Sequence, residues 1–143
     1  MLGQLLLGGG VSVINIAIHA ATMVVIIRIG RAELAKSPSQ RVWDLIVVMI
    51  VTVTILMVAH VVEVVVWAVA YAAVGVAPDG SDRLYFAFVN YTTLGYGDVV
   101  PVEGWRLIGP ITALNGVLMI GWSTAVIFEV LRRAVRYAHG EYD

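Results

Sequence analysis

Apolar residues gather in three long runs, separated by segments that hold most of the charges. The first run, Leu5 to Ile29, is interrupted only by Ser12, Asn15, His19, Thr22 and Arg28. The second, Leu45 to Val76, is interrupted by two threonines, His60 and Glu63. The third is Leu107 to Leu131. Each exceeds the roughly 20 residues that a helix needs to cross a bilayer core. In hydrocarbon the backbone must satisfy its own hydrogen bonds, so all three are expected to be helices despite the many β-branched residues in the second. A membrane β-barrel needs apolar and polar residues to alternate, and these runs do not alternate. The expected class is therefore an all-α membrane protein with three transmembrane helices.

Composition sharpens this picture. The 143 residues are 60% hydrophobic and 13% charged, with a net charge of −1, against about 25% charged in an average globular protein. That excludes a soluble globular domain, a disordered chain and a nucleic-acid binder, which would need a basic patch. The absence of cysteine excludes disulfides, thiolate catalysis and zinc–thiolate sites. The first run lacks the basic flank of a signal peptide and is too long for its apolar core, so it is read as a retained helix.

Charge sets the expected orientation. Arg28, Arg31, Lys36 and Arg41 follow the first run, and Arg132, Arg133 and Arg136 follow the third. Asp79, Asp82, Asp98 and Glu103 outnumber Arg83 and Arg106 between the second and third. The positive-inside rule then places the N-terminus and residues 77–105 outside and the C-terminus in the cytoplasm of a multi-pass cell-membrane protein. Trp43, Trp67, Tyr71 and Trp105 fit interfacial belts, or are ordinary lipid-facing bulk. Lys36 to Gln40 and Ala77 to Asp82 read as turns.

The outside segment holds the chemistry. Leu84 to Thr92 is apolar and aromatic but too short to span. Ser81 is the expected N-cap, with Asp82 in the first turn of a helix over 82–92, about 16 Å long. Such a helix enters a membrane part way, and the chain must return where protein buries it or where it lines a water-filled path. The return is Thr92-Thr93-Leu94-Gly95-Tyr96-Gly97-Asp98. Gly95 and Gly97, at alternate positions, permit backbone dihedrals closed to other residues. Successive carbonyls can then point to one side, and four copies around an axis would replace the hydration shell of a potassium ion.

Thr93 to Asp98 resembles the signature Thr-x-Gly-Tyr-Gly-Asp of the potassium-channel family, in the form of a small prokaryotic-type channel with one extra N-terminal helix. The likeness covers residues 45–133. It implies an outer helix 43–76, a re-entrant pore helix 82–92, a filter 93–98 and an inner helix 105–133, together a pore module over 42–136. Residues 1–41 would be the added helix and a cytoplasmic loop, and 137–143 a short tail. The resemblance implies potassium coordination by Thr93, Leu94, Gly95, Tyr96 and Gly97, support from Asp98, and a homotetramer, since one chain has one filter. K⁺ is then the permeant ion, with no enzymatic cofactor and no enzymatic activity. Leu94 stands where Val or Ile is commoner, Val89 where many relatives have an acidic residue, and Tyr85 where they have Trp. The Tyr85 hydroxyl would brace Asp98, or the ring would pack on the second helix.

Several further expectations attach to single residues. Val117, Ile120, Thr124 and Phe128 share one face of the third helix. They line the cavity, with Phe128 as constriction, or form a helix contact. Gly116 is a hinge or a close-packing site. Pro110 is expected to bend the second turn, and Asn115 to bond the pore helix. Glu129 pairs locally with Arg132 and Arg133. The tail leaves no room for a regulatory domain, and no span has the periodic arginines of a voltage sensor. His19, His60 and Glu63 form an intramembrane polar set. Measured from Arg28 and Asp44, the two histidines come out about two turns apart, unless the first helix continues past Arg31. Each bonds a polar neighbour, or the set links the first helix to the pore module and responds to pH. A nonselective cation channel, a non-conducting subunit with this fold and, more remotely, a metalloenzyme on His19, His60 and Glu63 are the competing classes.

Overall fold

The computed structural model describes residues 1–34 and 41–138, so the expected turn at Lys36–Gln40 and residues 139–143 lie outside the described residues. Four helices follow in order: α1 Leu2–Leu34, α2 Arg41–Val74, α3 Arg83–Tyr91 and α4 Ile108–Ala138. Three of them, α1, α2 and α4, are long and apolar enough to cross a membrane. The chain is therefore a multi-pass helical membrane protein. α3 is nine residues long.

α1 packs on α2 and α4, and α3 packs on the same two helices, while the backbones of α1 and α3 do not meet. α1 and α4 run parallel. Gln4 bonds Leu107 N at 2.8 Å and the Gly104 carbonyl, Asn15 reaches Asn115 at 3.0 Å, and His19 reaches Ser123 at 3.3 Å. The start of α1 thus lies at the same end of the bundle as the loop before α4. One core cluster joins Val11, Val64, Trp67, Tyr71, Phe86, Tyr91, Ile108 and Met119 at that end. A smaller cluster of Met23, Ile26 and Leu56 lies toward the other.

Several local expectations are corrected. Asp82, not Ser81, caps α3: its carboxylate accepts from Leu84 N and Tyr85 N at 2.9 and 3.1 Å. A carboxylate there satisfies two orphan amides and faces the positive helix end. α4 starts at Ile108 rather than 105, which puts Pro110 in the first turn, where its missing N–H breaks no helical bond. Trp67 and Tyr71 are not in an interfacial belt. Both are 0% exposed, because each polar tip has an internal partner: Trp67 Nε1 donates to Asn115 at 3.0 Å and the Tyr71 hydroxyl lies 2.6 Å from Thr112 Oγ1. Asn115 accordingly bonds α1 and α2, not α3. Trp43 is exposed.

Among the glycine positions the tightest approach is between α3 and α4. A Cβ placed on Gly116 would fall 1.9 Å from the Tyr91 carbonyl oxygen. The last turn of α3 therefore rests directly on the α4 backbone, and Gly116 is a close-packing site. Gly116→Ala is expected to lower the stability of the solubilised protein by about 1–3 kcal/mol or more, as overpacking does. Gly10 has nothing within 4 Å of such a Cβ, so Gly10→Ala should be neutral or stabilising by up to about 1 kcal/mol. Melting curves check both, and equal melting of the two variants would contradict the close packing.

Candidate functional site

The chain leaves α3 in a tightly tied turn. Thr92 N bonds Phe88 O at 2.9 Å, Thr93 N bonds Asn90 O at 3.1 Å, and Leu94 N bonds Val89 O at 2.9 Å. Gly95 N reaches the same Val89 carbonyl at 3.4 Å. These bonds cap the orphan carbonyls of the last helical turn and fix where the next residues start. From there every second residue takes a positive φ: Thr93 at 61°, Gly95 at 57° and Gly97 at 77°. Glycine makes this free at two positions. Thr93 is β-branched and is strained there, a departure that the sequence did not signal. Residues 92–98 are all exposed in the single chain, including Leu94 at 54% and Tyr96 at 68%.

Asp98 follows this turn. Its Oδ2 accepts from the Tyr85 hydroxyl at 2.7 Å. That hydrogen bond holds the Asp98 carboxyl below the ordinary aspartate range and pushes the Tyr85 phenol up. Val89, behind the turn, is buried.

A second assembly lies deeper, and it gathers His19, His60 and Glu63. The two histidine rings are 5.4 Å apart, not two turns. The helices explain the difference. α1 runs on through Leu34 and α2 starts at Arg41, and from those ends the histidines differ in height by only about 6 Å. His19 Nδ1 is 2.8 Å from Glu63 Oε1. His60 Nδ1 is 3.2 Å from Glu63 Oε2 and 2.9 Å from the Tyr91 hydroxyl, which itself donates to Glu63 Oε2. The two Nε2 atoms converge on Ser123 Oγ, His60 at 2.9 Å and His19 at 3.3 Å. Sequence reasoning missed Tyr91 and Ser123. The signal for Ser123 was a hydroxyl within an apolar span, and Tyr91 was hidden in the aromatic run of α3. The His19, His60 and Glu63 donor atoms lie within 4.8 Å of one another, but hydrogen bonds within the set occupy them.

On α4, Val117, Ile120, Thr124 and Phe128 are exposed in the single chain, and Phe128 stands out at 67%. Glu129 pairs with Arg132 at 2.6 Å and Arg133 at 2.5 Å.

A fold of three membrane-length helices with a short helix and tied turn before the last is one a channel can use. Residues 45–133 match the family model described as ion channel, and the chain belongs to that family. A 51-residue stretch is 41% identical to the potassium voltage-gated channel subfamily A member 2 of Xenopus laevis, and to the proteins of the same name from Mus musculus and Oryctolagus cuniculus. The stretch is 35% of this chain and 10% of each relative, so the chain spans about a tenth of the curated relatives it matches. No solved structure matches it.

The Tyr85–Asp98 bond has a titration signature. Asp98 is expected to titrate below its ordinary value of 3.8, and Tyr85→Phe to move it back up. A depressed carboxyl pKa adds stability above the ordinary range that is lost as pH falls through the folded value. Carboxyl NMR titration of the two proteins checks this, and the same Asp98 midpoint in both would contradict it.

Proposed function

We propose that this chain is the pore-forming subunit of a potassium-selective channel. The observation that supports it most is the alternation of positive φ at Thr93, Gly95 and Gly97, with the intervening residues outside that region. This alternation lets successive carbonyls of Thr93, Leu94, Gly95, Tyr96 and Gly97 face one side. Carbonyl dipoles suit a monovalent cation that must enter dry and still leave. In this reading α3 is the re-entrant pore helix, and its C-terminal end directs its negative dipole at the ion.

One chain supplies one such strand, so the pore is a homotetramer with the strand on its axis. The exposed run 92–98 and the exposed α4 residues Val117, Ile120, Thr124 and Phe128 are surfaces the neighbouring copies and the aqueous path would take up. Phe128 is the proposed narrowing. Tyr85 and Asp98 brace the strand. Residues 42–136 form the pore module and 1–41 the added helix. The charge asymmetry favours an N-terminus outside the cell membrane and a cytoplasmic C-terminus.

Purified protein in liposomes is expected to pass K⁺ and not Na⁺, with block by Ba²⁺. Gly95→Ala puts a Cβ on left-handed backbone at about 1–2 kcal/mol per copy, repeated four times around the axis. It should abolish selective flux while leaving the oligomer assembled, and so should Tyr96→Asp. Equal K⁺ and Na⁺ flux through the native protein, or unchanged selectivity in both variants, would contradict the reading.

A further inference from the structure

The deeper assembly is a closed ring. Glu63 meets His19, His19 meets Ser123, Ser123 meets His60, His60 meets Tyr91, and Tyr91 returns to Glu63. Each of these five contacts needs one hydrogen between its two heavy atoms; a sixth, longer approach across the ring, His60 Nδ1 to Glu63 Oε2 at 3.2 Å, can only share a hydrogen already counted. The ring's own supply is short. Neutral His19, neutral His60, Ser123 and Tyr91 bring one hydrogen each, and an ionised Glu63 brings none. Four hydrogens leave one contact with lone pair facing lone pair. For instance, if both Nδ1 atoms carry the hydrogen, both Nε2 atoms compete for the single Ser123 hydrogen.

Charge gives the same answer independently. Glu63 and His19 are 0% exposed, in helices of membrane length. Among the described residues no lysine, arginine or aspartate bonds to the ring, whose titratable members are His19 from α1, His60 and Glu63 from α2, and Tyr91 from α3. α4 contributes Ser123 and the Trp122 indole, 5.1 Å from the His19 ring. With both histidines neutral the ring carries a full negative charge in an apolar interior, which is expensive. One added proton makes it neutral and supplies the fifth hydrogen.

We propose that His19, Ser123, His60, Tyr91 and Glu63 form an intramembrane site that binds one proton, and that this proton closes the link between α1 and the end of α3. The backbones of α1 and α3 do not meet, so the ring is the polar path between them. Tyr91 lies two residues before Thr93, where the proposed filter begins. The proton therefore sets how firmly α1 holds the filter's base. This consequence for conduction rests on the channel reading, whereas the proton site itself does not.

The ring makes an unusual demand of Glu63→Gln. An amide brings its own hydrogens, and either orientation of the Gln side chain completes all five contacts with neutral histidines. E63Q is thus a fixed copy of the protonated ring. The folded native chain holds one proton that its unfolded form, with neutral histidines, does not hold above about pH 6.5, so its stability falls as pH rises. The folding equilibrium of the native protein relative to E63Q should drop by about tenfold per pH unit above neutrality, until the ring gives the proton up. Melting of both full-length proteins in detergent from about pH 5 to pH 9 reads this. In liposomes E63Q should keep, at every pH, the flux that the native protein shows at the acid end.

A second measurement does not depend on any ring variant folding. In ¹⁵N-histidine NMR at neutral pH, with His139→Gln removing the third signal, the two ring histidines should carry three hydrogens on their four nitrogens with one Nε2 bare, or two with the Glu63 carboxyl protonated in ¹³C spectra. Two ring hydrogens beside an ionised Glu63 would overturn the proposal, as would parallel pH dependence of the native protein and E63Q. A flat flux with the expected melting and NMR results would refute the conductive consequence and leave the proton site standing. Failure of K⁺ selectivity alone would count against the channel reading and not against the ring.

Discussion

The structure depends on one constraint: inside a bilayer no water satisfies a polar group, so buried polar side chains need partners within the protein. Asn15, His19, Glu63, Thr112 and Asn115 are all buried, and together with the tips of Trp67, Tyr71 and Tyr91 they make a polar seam through an otherwise apolar bundle. Hydrophobic packing alone does not position helices in lipid, because lipid tails are as apolar as leucine. The seam does. Asn115 accepts from both Trp67 and Asn15, which ties α4 to α2 and α1. Tyr71 bonds Thr112 and Asn90, which ties α2 to α4 and α3. α3 is held at one depth by these bonds and by the Tyr91 carbonyl lying against Gly116.

That fixed depth sets the start of the turn at 92–98. The turn's amides bond back to the last carbonyls of α3, so its strained dihedrals are supported from behind. Strain of this kind persists only where the surroundings over-determine it. Thr93 is the clearest case, being a β-branched residue held at φ 61°. The surroundings here are the α3 cap, the buried aromatic layer and, two residues upstream, the ring that contains Tyr91. The proposed filter and the proposed proton site thus share one short helix.

Much of this was legible in the sequence, and the failures have physical causes. The three spans were plain because run length in apolar residues maps directly onto bilayer thickness. The short helix and the Gly95–Gly97 spacing were legible because breakers and glycines mark backbone events locally. Partners across helices were not legible. Trp67 and Tyr71 read as interfacial or lipid-facing because sequence gives an aromatic's polar tip but not the Asn115 or Thr112 that receives it. The separation of the two histidines hung on where the helices end: from the nearest charges, Arg28 and Asp44, it comes out at two turns, and the open alternative of a first helix continuing past Arg31 is the one the structure shows. The cap at Asp82 was missed by one residue, which is the ordinary uncertainty of a helix boundary.

The central claim is that four copies of this chain surround one ion path lined by backbone carbonyls. Cryo-electron microscopy of the full chain in lipid nanodiscs with K⁺ tests it most directly. The account predicts four-fold symmetry, with the carbonyls of Thr93 to Gly97 facing the axis and ion density between successive oxygen rings. A monomer, another symmetry, or Thr93 to Gly97 on the outer surface with no axial density would contradict it.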